Sequence, residues 1–233
     1  MITVTLHSGL GNQMFMVAAT IGMAKKHNTV AKFQDPLPNF KKYLYNLNPL
    51  THLDTISIGY REKSHNYNEI PFTENMQLNG YFQSEKYFKH CRNDILKLFG
   101  TNESKINKTS IHIRRGDYLD NPNDFPTLPL NYYTSNMTVN KEYLLFSDDI
   151  PWCKEAFKNY NNIEYSTNKT ALEDIKLMSR CEHNIIANST FSWWGAWLNQ
   201  NPNKIIIAPK LWFGPGLKHV NTKDIIPNEW IKK

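Results

Sequence analysis

A regular alternation of short apolar runs and longer amphipathic segments, beginning near residue 106, constrains the fold more than any other feature of the chain. The apolar runs predict strands at 110–113, 143–146, 163–165, 184–187 and 204–208. Helical spacing and capping signals between them predict helices at 130–137, 151–160, 170–180 and 193–198. Strands and helices that alternate at such short spacing favour a parallel sheet with helices on both faces.

The first part of the chain opens in the same way but becomes less regular. The pattern predicts a strand at 2–6, a helix at 13–26, a second strand at 30–33 and a helix at 84–99 that Ser84 caps. Residues 34–75 are rich in Asn, Pro, Tyr and His, and we expect loops with short helices that face an acceptor. The polar stretch 101–108 is a candidate linker, so we expect domains at 1–105 and 106–233.

A glycine-containing turn joins the first strand to the first helix. It contains Gly9, Gly11 and Asn12, and a strand, a glycine turn and a helix in this order can offer backbone N–H groups to a ligand. The dinucleotide fingerprint is incomplete, because Met14 stands where its third glycine would be. The alternative is a turn that only allows a strand and a helix to pack closely.

The segment from His112 to Tyr118, His-Ile-Arg-Arg-Gly-Asp-Tyr, concentrates charged side chains at the end of a predicted strand. The forked donors of Arg114 and Arg115 match phosphate oxygens in pairs, which makes them a candidate clamp for a diphosphate. Consecutive strand residues point to opposite faces, so one arginine could grip phosphate while the other pairs with Asp117 or another carboxylate. The alternative is a solvated basic turn.

Other polar residues also follow predicted strands, where ligands of parallel sheets bind. Ser189, Thr190 and Ser192 stand at a helix start and suit phosphate, with ordinary N-capping as the alternative. Asp148 and Asp149 are adjacent and lack the D-x-D spacing of metal-dependent sugar transferases, so we expect a capping or turn role and no metal.

Composition narrows the partners and the compartment. A net charge of +6 and a pI of about 9.0 suggest an anionic partner, but no block of like charges or basic–aromatic cluster points to nucleic acid. The cysteines, Cys91, Cys153 and Cys181, form no zinc or disulfide pattern and suit a reducing compartment. With neither a signal peptide nor an 18-residue apolar run in the sequence, we expect a cytoplasmic protein without a membrane span.

A set of ordered motifs resembles the α-1,2-fucosyltransferases of glycosyltransferase family 11. The motifs are SGLGNQMF at 8–15, LNGYFQSEKYF at 78–88, HIRRGDY at 112–118, FSDD at 146–149 and ANSTFSWWGAWL at 187–198. The chain departs from the usual pattern at Ser8 and at Met16-Val17, and it is short, which puts acceptor identity in doubt. The lack of a membrane anchor resembles bacterial or viral members.

The resemblance implies a GT-B-like pair of Rossmann-like α/β domains, with the donor site in the C-terminal domain facing the inter-domain cleft. It implies inverting transfer of L-fucose from GDP-fucose, a co-substrate, to the 2-hydroxyl of a galactose-terminated glycan, without cofactor or metal. By likeness, Arg114 or Arg115 binds the β-phosphate, and His112 and Asp174 lie near guanine or ribose. The implied donor-binding set is completed by Asn188, Ser189, Thr190, Ser192, Gly9, Gly11 and Asn12.

The expected reaction is a direct displacement through a transition state with oxocarbenium character, like that of glycoside hydrolysis. Asp117 is the first candidate for the general base, and a salt bridge that orients Arg114 or Arg115 is its alternative role. Rival functions are an idle GDP-sugar-binding module, a fucosyltransferase of another linkage or acceptor, and a nucleic-acid-binding protein with strongly salt-dependent affinity.

Overall fold

The structure is a computed structural model that describes residues 1–34, 47–51, 54–168 and 170–233. The chain divides into two compact units. Unit 1 comprises Met1–Leu98 and Asn221–Pro227, and unit 2 comprises Phe99–Val220 and Asn228–Lys233. Each unit contains a parallel sheet with helices, so the expected class of two α/β units is confirmed.

Unit 1 is built around a three-stranded parallel sheet in the order β1-β3-β2. Its elements are β1 (Ile2–Val4), α1 (Leu10–Lys26), β2 (Ile58–Arg61), β3 (Met76–Asn79) and α2 (Arg92–Phe99). Two 3-10 turns precede α2, at Glu85–Tyr87 and Lys89–Cys91. The helix α1 is buried along most of its length, and Gly22 lets the carbonyl of Tyr87 approach so closely that a Cβ would lie 2.1 Å from it.

Unit 2 is built around a six-stranded sheet in the order β6-β5-β4-β7-β8-β9, in which all neighbouring strands are parallel. The strands are β4 (Ile106–Ile113), β5 (Tyr143–Ser147), β6 (Ile163–Tyr165), β7 (Cys181–Ile185), β8 (Ile206–Ala208) and β9 (Ile231–Lys232). The helices are α3 (Leu130–Thr134), α4 (Ile150–Ala156), α5 (Ala171–Arg180) and α6 (Thr190–Trp197). Trp193, Trp194 and Trp197 are buried and pack on one another, as expected for core residues.

The strand order of unit 2 fixes where its chain reverses direction across the sheet. From the central strand β4 the chain runs outward through β5 to β6, and then it returns to β7 on the other side of β4. In open α/β sheets this reversal opens a crevice at the carboxyl ends of the two central strands, where ligands bind. The crevice of unit 2 therefore lies where β4 and β7 end.

Several predicted elements of unit 1 differ from the structure. The helix predicted at 13–26 begins at Leu10, because Gly9 is extended and its carbonyl accepts the first helical N–H groups, those of Asn12 and Gln13. The strand predicted at 30–33 is reduced to isolated bridges at Ala31 and Phe33. The helix predicted at 84–99 is broken into the two 3-10 turns and α2.

Further differences concern the irregular stretch and the division between units. The stretch 34–75 contains β2, an edge strand that the pattern did not reveal, and its residues 35–46 and 52–53 lie outside the described part. The division falls at the end of α2, before the boundary predicted at 105/106, since Phe99 packs against Trp194 and Arg180 pairs with Glu103. The return of Asn221–Pro227 to unit 1 was not predicted.

Candidate nucleotide-binding site of unit 2

Arg114 leaves the end of β4 and is held by two carboxylates. Its Nη2 donates to Asp117 Oδ1 at 2.5 Å, and its Nη1 lies 2.8 Å from Asp148 Oδ2. The guanidinium also lies over the ring of Tyr118, 5.4 Å from its centroid. Pairing of one arginine with Asp117 was predicted, and in the structure Arg114 is that arginine.

Arg115 is held separately, on the side of α4. Its Nε donates to Asp149 Oδ2 at 3.0 Å, and its guanidinium lies 4.0 Å from the ring centroid of Trp152. The hydrogen bond from Arg115 is the main cause that holds the pKa of the Asp149 carboxyl below its usual range. Asp149 also caps α4 by accepting the N–H of Trp152, so its predicted capping role is confirmed.

Asp148 joins the two arginines through side chain and backbone. Its Oδ1 accepts the backbone N–H of Arg115 at 2.9 Å, while its Oδ2 contacts Arg114. The carboxylate packs directly on Gly116, where an added Cβ would lie 2.5 Å from Oδ2. No local sequence pattern indicates this bridging role beyond the position of Asp148 at the end of a neighbouring strand.

His112 lies beneath the arginines in the core of unit 2. Its ring is buried, and the ring centroid lies 5.2 Å from that of Phe191. Its Nδ1 has no hydrogen-bond partner among the described residues. Burial, helped by the charge of Arg114, lowers the pKa of His112 to about 3. The imidazole is therefore neutral at pH 7 and keeps an unused polar atom near the strand end.

Tyr118 connects the arginine turn to the segment that follows β7. Its hydroxyl donates to the carbonyl of Asn188 at 2.8 Å, and burial raises its pKa to about 12. The side-chain amide of Asn188 donates to the carbonyls of Pro126 and Trp212, while its Oδ1 is buried without a partner in the described part of the chain. Asn188 thus braces two loops at the crevice and leaves one acceptor unused.

The hydroxyls at the start of α6 are largely engaged within their own helix. Ser189 caps α6 by accepting the N–H of Phe191, and the buried Ser192 donates to the carbonyl of Ser189. Ordinary N-capping, the alternative for this segment, is therefore observed for Ser189. Thr190 is half-buried in the first turn, so the contribution left to this segment is mainly backbone N–H groups.

The other residues implied by the resemblance belong to other elements of the chain. Asp174, in α5, accepts from Ser166 and Asn168 beyond the end of β6, and burial raises its pKa. Gly9, Gly11 and Asn12 belong to unit 1, where Gly9 precedes α1 and the other two form its first turn.

Clusters of metal ligands and helices of membrane length are both absent from the described residues. In the described ranges, no group of three or more His, Cys, Asp or Glu side chains is arranged to hold a metal ion. The absence of a metal requirement stays a prediction, because a diphosphate can itself contribute ligands. No helix among the described residues is long and apolar enough to cross a bilayer.

The fold and the site together define a class of protein. A parallel α/β sheet with paired arginines at its switch point is typical of a protein that binds phosphorylated ligands. The full chain, residues 1–233, matches the sequence profile of Glycosyl transferase family 11, and the chain belongs to that family. It is a glycosyltransferase by that membership.

Named relatives share this chain's sequence to different extents. The O-antigen biosynthesis glycosyltransferase WbnK of Escherichia coli is 37% identical over 62% of this chain, and the match spans 57% of the length of WbnK. An α-1,2-colitosyltransferase of Escherichia coli is 30% identical over 98% of this chain and 84% of its own length. A galactoside 2-α-L-fucosyltransferase of Caenorhabditis elegans is 26% identical over 88% of this chain and 71% of its own.

Among solved structures, the fucosyltransferase NodZ from Bradyrhizobium is similar over 83% of this chain and 90% of its own, with a TM-score of 0.48 and 10% identity.

Proposed function

We propose that the protein transfers L-fucose from GDP-β-L-fucose to the 2-hydroxyl of a galactoside, with inversion and without a metal ion. The observation that carries this proposal is the pair of braced arginines at the switch point of a family 11 chain. The galactoside 2-α-L-fucosyltransferase relative supports the linkage and the acceptor class. The resemblance of the ordered motifs supports GDP-fucose as the donor.

The two arginines are suited to different parts of the donor-binding role. Both terminal nitrogens of Arg114 already contact carboxylates, whereas the Asp149 contact of Arg115 uses Nε. A guanidinium has five N–H donors, and among the described residues the terminal nitrogens of Arg115 contact no carboxylate, so they suit a bidentate contact with diphosphate. Arg115 is therefore our first choice for the β-phosphate ligand, and Arg114 for the group that positions it.

The local charge balance indicates how a diphosphate would be held. Three carboxylates, those of Asp117, Asp148 and Asp149, contact the two guanidiniums. Their negative charges balance the positive charges of the arginines, so long-range attraction contributes little to the binding of a diphosphate. Directed hydrogen bonds must therefore provide most of the affinity. Donors aimed at the leaving diphosphate also lower the barrier, by about 3 to 4 kcal/mol for a well-placed group.

Asp117 fits the bracing role better than the role of general base. Its Oδ1 lies 2.5 Å from Arg114 Nη2, so this oxygen is already engaged in holding the arginine. Asp117→Asn should then weaken GDP binding, because Arg114 loses one of its two charged partners and keeps only Asp148. Loss of turnover with unchanged GDP affinity would instead make Asp117 the base.

The decisive experiment offers the protein a panel of GDP-sugars with β-galactosides and determines the product linkage by NMR. Arg115→Ala and Arg114→Ala are compared with Lys141→Ala, which removes an exposed cation of unit 2 that pairs with Glu182. We expect both arginine variants to lose transfer from GDP-fucose and the lysine variant to retain it. Near-wild-type transfer by both arginine variants would refute the clamp.

A second candidate is transfer of colitose in place of fucose. The α-1,2-colitosyltransferase aligns with 98% of this chain, which favours this possibility. Colitose lacks the 3-hydroxyl of fucose, and a site built to hydrogen-bond a hydroxyl rejects the deoxy analogue by roughly 10⁴–10⁵-fold. The ratio of kcat/KM for GDP-fucose to that for GDP-colitose therefore decides between the two donors.

A further inference from the structure

The positive charge of the chain is not explained by the nucleotide-binding site. Three carboxylates contact the two arginines there, so these contacts leave no excess of positive charge. Residues 204–233 contain six lysines, two acidic residues and no arginine, so they carry +4 of the net charge of +6. An excess of one sign in one segment favours an anionic partner. This segment is therefore a candidate for binding a partner that the sugar-transfer proposal does not include.

Part of this segment forms one edge of the sheet of unit 2. β9 is the last strand in the order, and β7 and β8 separate it from β4, which leads to the arginines. Ile231 and Lys232 pair in register with β8. Beyond β8, the backbone N–H of Lys210 donates to the carbonyl of Lys233 at 2.8 Å. These contacts bring three lysines from two stretches of sequence together at the edge of the sheet.

The three lysines of this edge are exposed, and they differ from other exposed lysines of unit 2 in their partners. The ammonium groups of Lys141 and Lys158 lie 3.1 Å and 2.6 Å from glutamate oxygens. In contrast, no Asp or Glu side chain among the described residues pairs with Lys210, Lys232 or Lys233. Consecutive strand residues point to opposite faces, so Lys232 and Lys233 lie on either side of the edge. The edge therefore offers its cations to a partner.

Exposed apolar side chains accompany these lysines. Among the described residues of unit 2, six large hydrophobic side chains are exposed. Three of them lie in or next to β8 and β9: Leu211 is 73% exposed, Ile205 47% and Ile231 45%. Lysines on an edge strand prevent sheets from pairing edge to edge, but exposed Leu and Ile beside them favour association instead. The partner must therefore accept both cationic and aliphatic groups. We call this set the β9 edge, and it consists of Ile205, Lys210, Leu211, Ile231, Lys232 and Lys233.

The composition of the β9 edge distinguishes between anionic partners. Protein interfaces are enriched in aromatic residues and arginine and depleted in lysine, and the β9 edge has the opposite composition. The phosphates of a nucleic acid match the lysines, but the aliphatic side chains offer no ring on which a base could stack. An anionic bilayer matches both groups. Lysine heads reach its phosphates, and Leu and Ile side chains are buried at the boundary between headgroups and acyl chains.

We propose that the β9 edge docks unit 2 on the surface of an anionic lipid bilayer. Lys210, Lys232 and Lys233 contact the lipid phosphates, and Leu211 and Ile231 enter the boundary between headgroups and acyl chains. The contact is peripheral and reversible, because a few cations and aliphatic side chains hold a protein less firmly than a membrane-spanning helix does. It does not depend on sugar transfer, since the β9 edge shares no residue with the nucleotide-binding site.

The test is co-sedimentation of the protein with vesicles of phosphatidylcholine alone, or of phosphatidylcholine and phosphatidylglycerol in equal parts. We expect binding only to the anionic vesicles, and weaker binding as added salt screens the charges. Lys210→Gln/Lys232→Gln should lower the partition coefficient roughly 25-fold, since each lysine near an anionic surface contributes about fivefold. The control Lys105→Gln/Lys154→Gln removes the same charge from exposed positions of unit 2 outside the β9 edge, and it should stay within about threefold of the wild type.

Leu211→Ser tests the apolar part of the contact and should lower the partition coefficient several-fold. Circular dichroism should show the same fold for every variant, since the substituted side chains are all exposed. A wild type that does not bind anionic vesicles at low salt overturns the proposal. An equal loss of binding in the two lysine double variants also overturns it, because that result indicates attraction by net charge alone. Binding to nucleic acid or self-association that Lys210→Gln/Lys232→Gln abolishes, without vesicle binding by the wild type, would assign the β9 edge to that partner instead and overturn the bilayer.

Discussion

Gly116→Ala is the sharpest available probe of the arginine turn, since it adds one methyl group and removes no contact directly. The new Cβ would lie 2.5 Å from Asp148 Oδ2 and 3.3 Å from Asp148 Cγ, whereas ordinary contact begins at 3.4 Å. Gly116 lies outside the left-handed region of φ, so the substitution adds no backbone strain. The Asp148 carboxylate must therefore move away by about 1 Å to restore ordinary contact.

That displacement breaks the contacts that place both arginines. Asp148 lies 2.8 Å from Arg114 Nη1 and accepts the Arg115 N–H at 2.9 Å, and neither bond survives a shift of about 1 Å. A hydrogen bond to a charged group contributes about 1.5–3 kcal/mol, and the lower value applies because these side chains are partly exposed. A loss of about 1.5 kcal/mol corresponds to roughly tenfold weaker GDP binding.

The assay is calorimetric titration of GDP into the wild type and the Gly116→Ala variant at one fixed ionic strength. Gly59→Ala is the matched control, because a Cβ at that exposed position in β2 meets no atom within 4 Å. Circular dichroism should show the same fold for all three proteins. Wild-type GDP affinity in Gly116→Ala would refute the reasoning, since it would mean that the contacts of Asp148 with Arg114 and Arg115 are not needed to position these arginines for GDP.

Three further predictions follow from the structure. Gly22→Ala should lower the free energy of unfolding by about 3 kcal/mol or more, measured in urea, because its Cβ would lie 2.1 Å from the rigid carbonyl of Tyr87; an unchanged urea midpoint would contradict this packing. Burial lowers the pKa of His112 to about 3, against about 6.5 in the unfolded chain. Between these two pH values the unfolded state binds one more proton than the folded state, so the free energy of unfolding decreases as the pH is lowered. Between pH 6.5 and 4.5, the wild type should lose up to about 1.4 kcal/mol per pH unit more than His112→Asn, and equal slopes would show that His112 is not buried neutral. Transfer should persist in excess EDTA, and restoration by Mg²⁺ or Mn²⁺ of activity lost in EDTA would overturn the metal-independent proposal.

Much of unit 2 was predictable because its signals are local. The capping box at Thr170 and Glu173 starts α5 as predicted, and the apolar runs became β5 and β6 nearly at their predicted bounds. Unit 1 was less predictable. The edge strand β2 has exposed positions at Ile58 and Gly59, so its pattern lacks the apolar face that marks a buried strand.

The sequence by itself determined the class of fold, the family and the two segments of the candidate site, residues 112–118 and 187–198. Strand periodicity, capping signals and motifs each depend on only a few consecutive residues, so they can be recognised without the tertiary structure. Only the tertiary structure decided how the arginines are used. Asp149 lies 34 positions from its partner Arg115, and Asn188 lies 70 positions from Tyr118. Such pairs depend on the order and register of β4, β5 and β7, which no local pattern specifies.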